Sequence, residues 1–170
     1  MASGNVVGLL SQITQPGTVY ATFDTRVGGS TPAETRQVYD FDDTQDEYLD
    51  FYGVLEGYAG GGLTLTFDFS MTSATSGNVR LGAAIRRFDT AEDHDGSHAY
   101  DFNEVTVAVS GTAGARVRAT ITFTDGADMD SLANGEPFIL RLRREPTDTT
   151  NDTATGDMEL WPETVLVKET

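Results

Sequence analysis

Apolar and polar side chains alternate along most of this chain, and that period of two limits its fold more than any other feature. Leu63, Leu65, Phe67, Phe69 and Met71 are interleaved with Thr64, Thr66, Asp68, Ser70 and Thr72. Extended backbone sends successive side chains to opposite faces, so such a segment has one dry face and one wet face. Val117, Ala119, Ile121 and Phe123 repeat the pattern, as do Val105, Val107 and Val109. Val79, Leu81, Ala83 and Ile85 form another set, and Phe138, Leu140 and Leu142 another. Weaker candidates lie at 18–24, 37–41, 47–55 and 157–167. The count comes to about eight or nine strands.

Turn formers fill the gaps, among them Gly60-Gly61-Gly62, Ser76-Gly77-Asn78 and Asp125-Gly126. Only Asp128 to Ala133 reads as helical, a short segment with Asp128 as its cap and Asn134-Gly135 as its stop. Short alternating strands without helical crossovers predict an all-β, antiparallel sandwich or jelly roll. Met1 to Gln15 stands apart, ending at Pro16-Gly17 and carrying one apolar patch from Val6 to Leu10. It reads as an N-terminal arm or an extra edge strand, with residues 16–170 as a single domain. Thr147 to Gly156 reads as a mobile polar loop.

Charge excludes several functions. The formal net charge is −16, from 27 acidic residues against ten arginines and one lysine, Lys168. Such a surface repels phosphate backbones and anionic bilayers, so neither nucleic acid nor membrane is expected as a partner. No stretch approaches the apolar length of a membrane-spanning helix, and Met1 to Asn5 has no basic signal-peptide start. Synthesis in a cytoplasm is the expectation. Acid excess with almost no lysine suits a marine or halophilic setting.

Candidate chemistry is sparse. Cysteine is absent, and the two histidines, His94 and His98, share one loop. No nucleophile elbow occurs. Asp93 to His98 crowds four potential metal ligands, yet an EF-hand register around Gly96 puts Ala91 and Phe102 where acids are needed. Asp42, Asp43, Asp46 and Glu47 form a second acidic group. No catalytic residue, cofactor or metal ligand is assigned, and the chain is expected not to be an enzyme. The candidate contact residues are apolar or aromatic: Val6, Val7, Leu9, Leu10, Tyr52, Tyr58 and Trp161. Exposed rings of this kind stack on sugars or anchor protein partners. Arg80, Arg86, Arg141 and Arg143 fall on outer strand faces.

Four segments carry a resemblance: Tyr39 to Tyr48, Tyr58 to Leu65, Ser73 to Val79 and Asp128 to Arg143. Together they resemble small jelly-roll virion structural proteins of tailed viruses, of bacteria or of haloarchaea. The resemblance spans roughly residues 37–144 and includes no catalytic motif. It implies a capsid decoration, or cement, protein that binds the major capsid protein as a homotrimer at the virion surface. The alternative is a carbohydrate-binding jelly roll of a tail or adhesin. A glycan-degrading enzyme ranks third.

Overall fold

The computed structural model describes residues 8–170, with the side chains of residues 8, 9 and 11 left aside. Ten strands run in chain order: β1 Gly8–Thr14, β2 Thr22–Gly28, β3 Glu34–Phe41, β4 Glu47–Leu55, β5 Leu63–Met71, β6 Asn78–Arg87, β7 Asn103–Ala108, β8 Val117–Phe123, β9 Pro137–Arg144 and β10 Met158–Glu169. They form two five-stranded antiparallel sheets, ordered β1-β4-β9-β6-β7 and β2-β3-β10-β5-β8. The fold is the expected β-sandwich of jelly-roll type, with one strand more than the alternation predicts. That strand is β1, which pairs with β4 from Gly8↔Leu55 to Thr14↔Asp50. β1 stands at the edge of its sheet.

The core lies between the sheets and uses the sets that alternate in sequence. Leu63, Leu65, Phe67 and Phe69 of β5 meet Val79, Leu81 and Ala83 of β6, with Phe138, Leu140 and Leu142 of β9 beside them, all essentially inaccessible. Burying a side chain of this size is worth about 1.5–3 kcal/mol, so these strands carry most of the stabilisation.

The expected helix is not formed. Ala127–Met129 is one 3₁₀ turn, and Asp130 and Ser131 then take left-handed φ values of 53° and 54°. Two such residues in succession end any right-handed helix. The Asp128 carboxylate does not cap; it accepts hydrogen bonds from Thr124 N and from Asn103 Nδ2.

The polar loop after β9 is also held more tightly than its composition suggests. Arg144 continues the inward set of β9 and is 0% exposed. It donates two hydrogen bonds of 3.0 Å to Asp152, and further ones to the carbonyls of Ala154 and Gly156. A buried guanidinium needs this full complement of acceptors. The loop is wrapped around it to supply them.

Two departures from regularity shape the outer face of the second sheet. β3 pairs with β10 over three residues only, Phe41↔Met158 to Tyr39↔Leu160. Beyond Tyr39 it continues with β2 alone, from Val38↔Asp24 to Glu34↔Gly28. β10 meanwhile breaks register against β5 between Trp161 and Leu166. Pro162, lacking an N–H, favours such a break. Thr164 Oγ1 stitches the bulge by donating to Trp161 O and accepting from Asp68 N. The β2–β3 hairpin and β10 therefore part company at Trp161.

Candidate functional site

The space opened by that divergence is a cleft of about 880 Å³. Trp161 borders it on the β10 side, and Gly28 to Pro32 of the hairpin turn border it on the other. Arg26, Arg36, Arg116, Glu34 and Glu163 complete its walls. The volume falls within the range of small-ligand sites. The ring of Trp161 is tethered, with Nε1 donating to Ser70 Oγ at 3.0 Å. Ser70 Oγ in turn donates to Glu159 Oε2 at 2.8 Å, and Arg26 pairs with that same oxygen. The Arg116 guanidinium stands over the ring, 5.3 Å from its centroid, and also lies near Asp68. Arg118 makes a two-pronged contact with Asp68, at 2.7 and 3.2 Å. Arg116 is thus the arginine on the indole itself, while Arg26 and Arg118 are held by the neighbouring carboxylates Glu159 and Asp68.

Asp40 lies on the same outer face, one strand away. Burial, reinforced by Asp24, Glu159 and Asp157, pushes its carboxyl up to about 7.

The outer face of the other sheet is also rich in rings and charge. Tyr48, Asp50 and Tyr52 of β4, Arg141 and Arg143 of β9 and Arg86 of β6 share it, and the loop from Phe88 to Phe102 folds over it. Asp50 is buried and receives two 2.7 Å hydrogen bonds from Arg141. Here the guanidinium groups take the ring faces, Arg141 lying 3.9 Å from the centroid of Tyr100 and Arg143 3.9 Å from that of Phe102. Arg86 is buried against Glu92, and its Nη2 lies 2.8 Å from His98 Nδ1. This face has a groove of about 380 Å³ lined by Tyr52, His94, His98 and Tyr100 among others. Its rings are largely committed to internal packing.

The sequence-derived candidates separate accordingly. Trp161 borders the large cleft and Tyr52 the smaller groove, where Tyr52 meets Phe88 edge-on at 6.4 Å. Tyr58 is a structural latch. Its hydroxyl donates to Asp125 Oδ1 at 2.7 Å and accepts from Gly62 N at 2.9 Å, and burial pushes it up to about 12. Leu10 packs partly buried against the core. Leu9 pairs through its backbone with Val54, while Val6 and Val7 lie outside the described residues.

Among the described residues no group of three or more His, Asp or Glu is placed to hold a metal ion. The acids that looked available in sequence are spent locally. Asp42 accepts from Thr44 N, Asp43 from Gly156 N, Asp46 from Thr147 and Glu47 from Asp42 N. The arginines around Trp161 were harder to foresee, because Arg26, Arg36 and Arg116 come from three strands or their flanks, and only non-local pairing brings them together.

No protein-family model matches the sequence, and neither does any curated protein. Solved structures do match in fold. The CBM22-1 xylan-binding domain of Paenibacillus barcinonensis Xyn10C has 11% identity over 99% of this chain and 97% of that one, with a TM-score of 0.49. A carbohydrate-binding module of Cellvibrio mixtus lichenase 5A, solved with cellotriose, has 9% identity over 95% and 99%, with a TM-score of 0.46. The enzymatically active domain of tailspike protein 4 from bacteriophage CBA120 has 12% identity over 94% of this chain and 19% of that one, with a TM-score of 0.42. At these identities the likeness is one of fold.

Proposed function

We propose that the chain is a carbohydrate-binding module that takes a glycan in the Trp161 cleft. The observation that carries this is an indole clamped by Ser70 at the rim of a cleft of about 880 Å³ that arginines and glutamates also line. Sugar rings present flat C–H faces edged by hydroxyls. An aromatic plane covers the first, and forked donors with carboxylate acceptors satisfy the second. A pre-fixed ring loses little entropy on binding. The function so assigned is retention of a polymer, without turnover.

Of the readings open in the sequence, this one is preferred to capsid decoration because the cleft is concave, polar and sized for a small ligand. A shell contact calls for a broad face burying well over 1,000 Å² in total.

The test is retention on immobilised polysaccharides, with neutral and uronate-bearing backbones both represented, followed by calorimetry on whichever is retained. Trp161→Ala is expected to weaken binding by on the order of 30-fold, the loss of one hot-spot residue, with an unchanged circular dichroism spectrum. Failure to bind any polysaccharide, or equal binding by the variant, would remove the proposal.

A further inference from the structure

Among the described residues, the large apolar side chains that remain exposed all come from one stretch: Ile13, Val19, Tyr20, Phe23 and Val27. The last two belong to β2, which stands at the edge of its sheet with β3 as its hydrogen-bonded neighbour. Phe23 lies opposite Tyr39, and Tyr39 opposite the buried Leu160. Phe23, Thr25 and Val27 therefore lie on the face that elsewhere meets the β1-β4-β9-β6-β7 sheet. Phe23 is nevertheless 53% exposed and Val27 63%. β1 packs across the sandwich against β10, so the hairpin projects past the strands that would otherwise cover it. Asp24 and Arg26 lie on the opposite, outer face.

Edge strands are usually blunted by proline, lysine, bulges or inward-pointing charges. β2 has none of these. Its sequence is Thr-Phe-Asp-Thr-Arg-Val-Gly, and it is complementary to itself. An antiparallel copy whose two-fold axis passes through Thr25 sets Phe23 against Val27 twice on one face. On the other face it sets Asp24 opposite Arg26, whose guanidinium is held by Glu159 of its own chain, so no like charges meet. An axis through Asp24 would oppose two aspartates, and one through Arg26 would oppose two arginines. Registers centred between residues would place inner side chains opposite outer ones.

We infer that β2 is a homodimerisation edge, pairing antiparallel with β2 of a second copy about a two-fold axis at Thr25 and joining the two sheets into one of ten strands. The contact is isologous, as closed two-fold assembly requires, and it is strand addition with the partner's own edge. One strand pair is a small interface, so association is concentration-dependent. Two bodies of charge −16 repel each other, so screening by salt strengthens the dimer.

The absence of cysteine from the chain makes the test clean. Residues facing each other across an antiparallel pair have Cβ atoms about 4.5–5.5 Å apart, close to disulfide reach. Thr25→Cys is expected to form a covalent dimer under mild oxidation at least tenfold faster than Thr120→Cys, an exposed position on β8. Sedimentation of the unmodified chain is expected to show a monomer–dimer equilibrium that shifts toward dimer between low salt and about 0.3 M salt. Val27→Lys is expected to abolish the dimer, and Phe23→Glu/Val27→Lys, which sets unlike charges opposite each other, to restore it. Equal cross-linking at the two positions, a monomer at every concentration, a trimer, or no rescue by the double substitution would each overturn the inference.

Discussion

Two side chains show how far individual residues set stability here. Arg144 and Asp152 form a buried pair at 0% and 2% side-chain exposure. Removing one member strands the other without compensation. Arg144→Met is expected to cost about 3–5 kcal/mol, seen as a fall of roughly 10 °C in Tm. Arg144→Met/Asp152→Asn should recover part of that, because the neutral amide is cheaper to bury than an unpaired carboxylate. Asp40 works in the opposite sense. Folding raises its carboxyl from 3.8 to about 7, chiefly through burial and then through Asp24. The folded chain holds this proton across that interval and the unfolded chain does not. The contribution of Asp40 to stability is therefore present at the acidic end and is lost as pH rises through about 7. In thermal melts from pH 4 to 8, Asp40→Asn is expected to flatten this dependence and to be more stable than the parent above pH 7.

The strands differ in how readable they are, and the reason is burial. β8 alternates cleanly because one face enters the core and the other stays wet; β5, β6 and β9 alternate in side-chain chemistry, although Ser70, Ala84, Arg86 and Ile139 on their outer faces are buried too. β2 was expected at 18–24 but runs from Thr22 to Gly28. Both its faces are exposed, so no alternation marks its limits. Arg144 was legible as the inward position after Leu142, yet a charge there breaks the apolar pattern that identifies a strand face. The helix expected at 128–133 failed because capping chemistry looks alike whether a carboxylate caps its own turn or, as Asp128 does, ties down a neighbouring strand. Turn glycines were plain in sequence; their necessity was not. At Gly62, with φ of +98°, a Cβ would fall 2.3 Å from Phe123 O. Gly62→Ala must therefore shift the backbone at the start of β5. It is expected to lose about 1–3 kcal/mol, measured by urea denaturation.

At the scale of the whole molecule, sandwich architecture follows directly from the alternation, whereas the cleft does not. Trp161 stood out in the sequence as the single tryptophan, but the space beside it depends on β3 leaving β10 after three residue pairs. That is a long-range register event, and no local pattern encodes it. The same holds for the two outer faces, whose arginines look equivalent in sequence. One set stacks against Tyr100 and Phe102; of the other, Arg116 stands over Trp161 while Arg26 and Arg36 line open space. Net charge, by contrast, is fully visible in sequence. Self-repulsion in a body this acidic opposes compaction. Tm is expected to rise as salt is added up to about 0.3 M, where screening becomes short-ranged; a flat response would show that local pairing already neutralises the surface.

The short seam between β3 and β10 gives the cleft one wall that belongs to the rigid sandwich and one that is cantilevered. The Trp161 wall is anchored through Ser70 and Asp68 to the middle of a sheet. The Glu34 wall hangs from three rungs at Tyr39–Phe41 and from the Arg26–Glu159 ion pair. Loosening of that wall leaves the core untouched, so amide exchange at residues 34–37 should run faster than at 39–41. A bound polymer that bridges the two walls should slow the first set alone, which would make the hairpin a built-in reporter of occupancy.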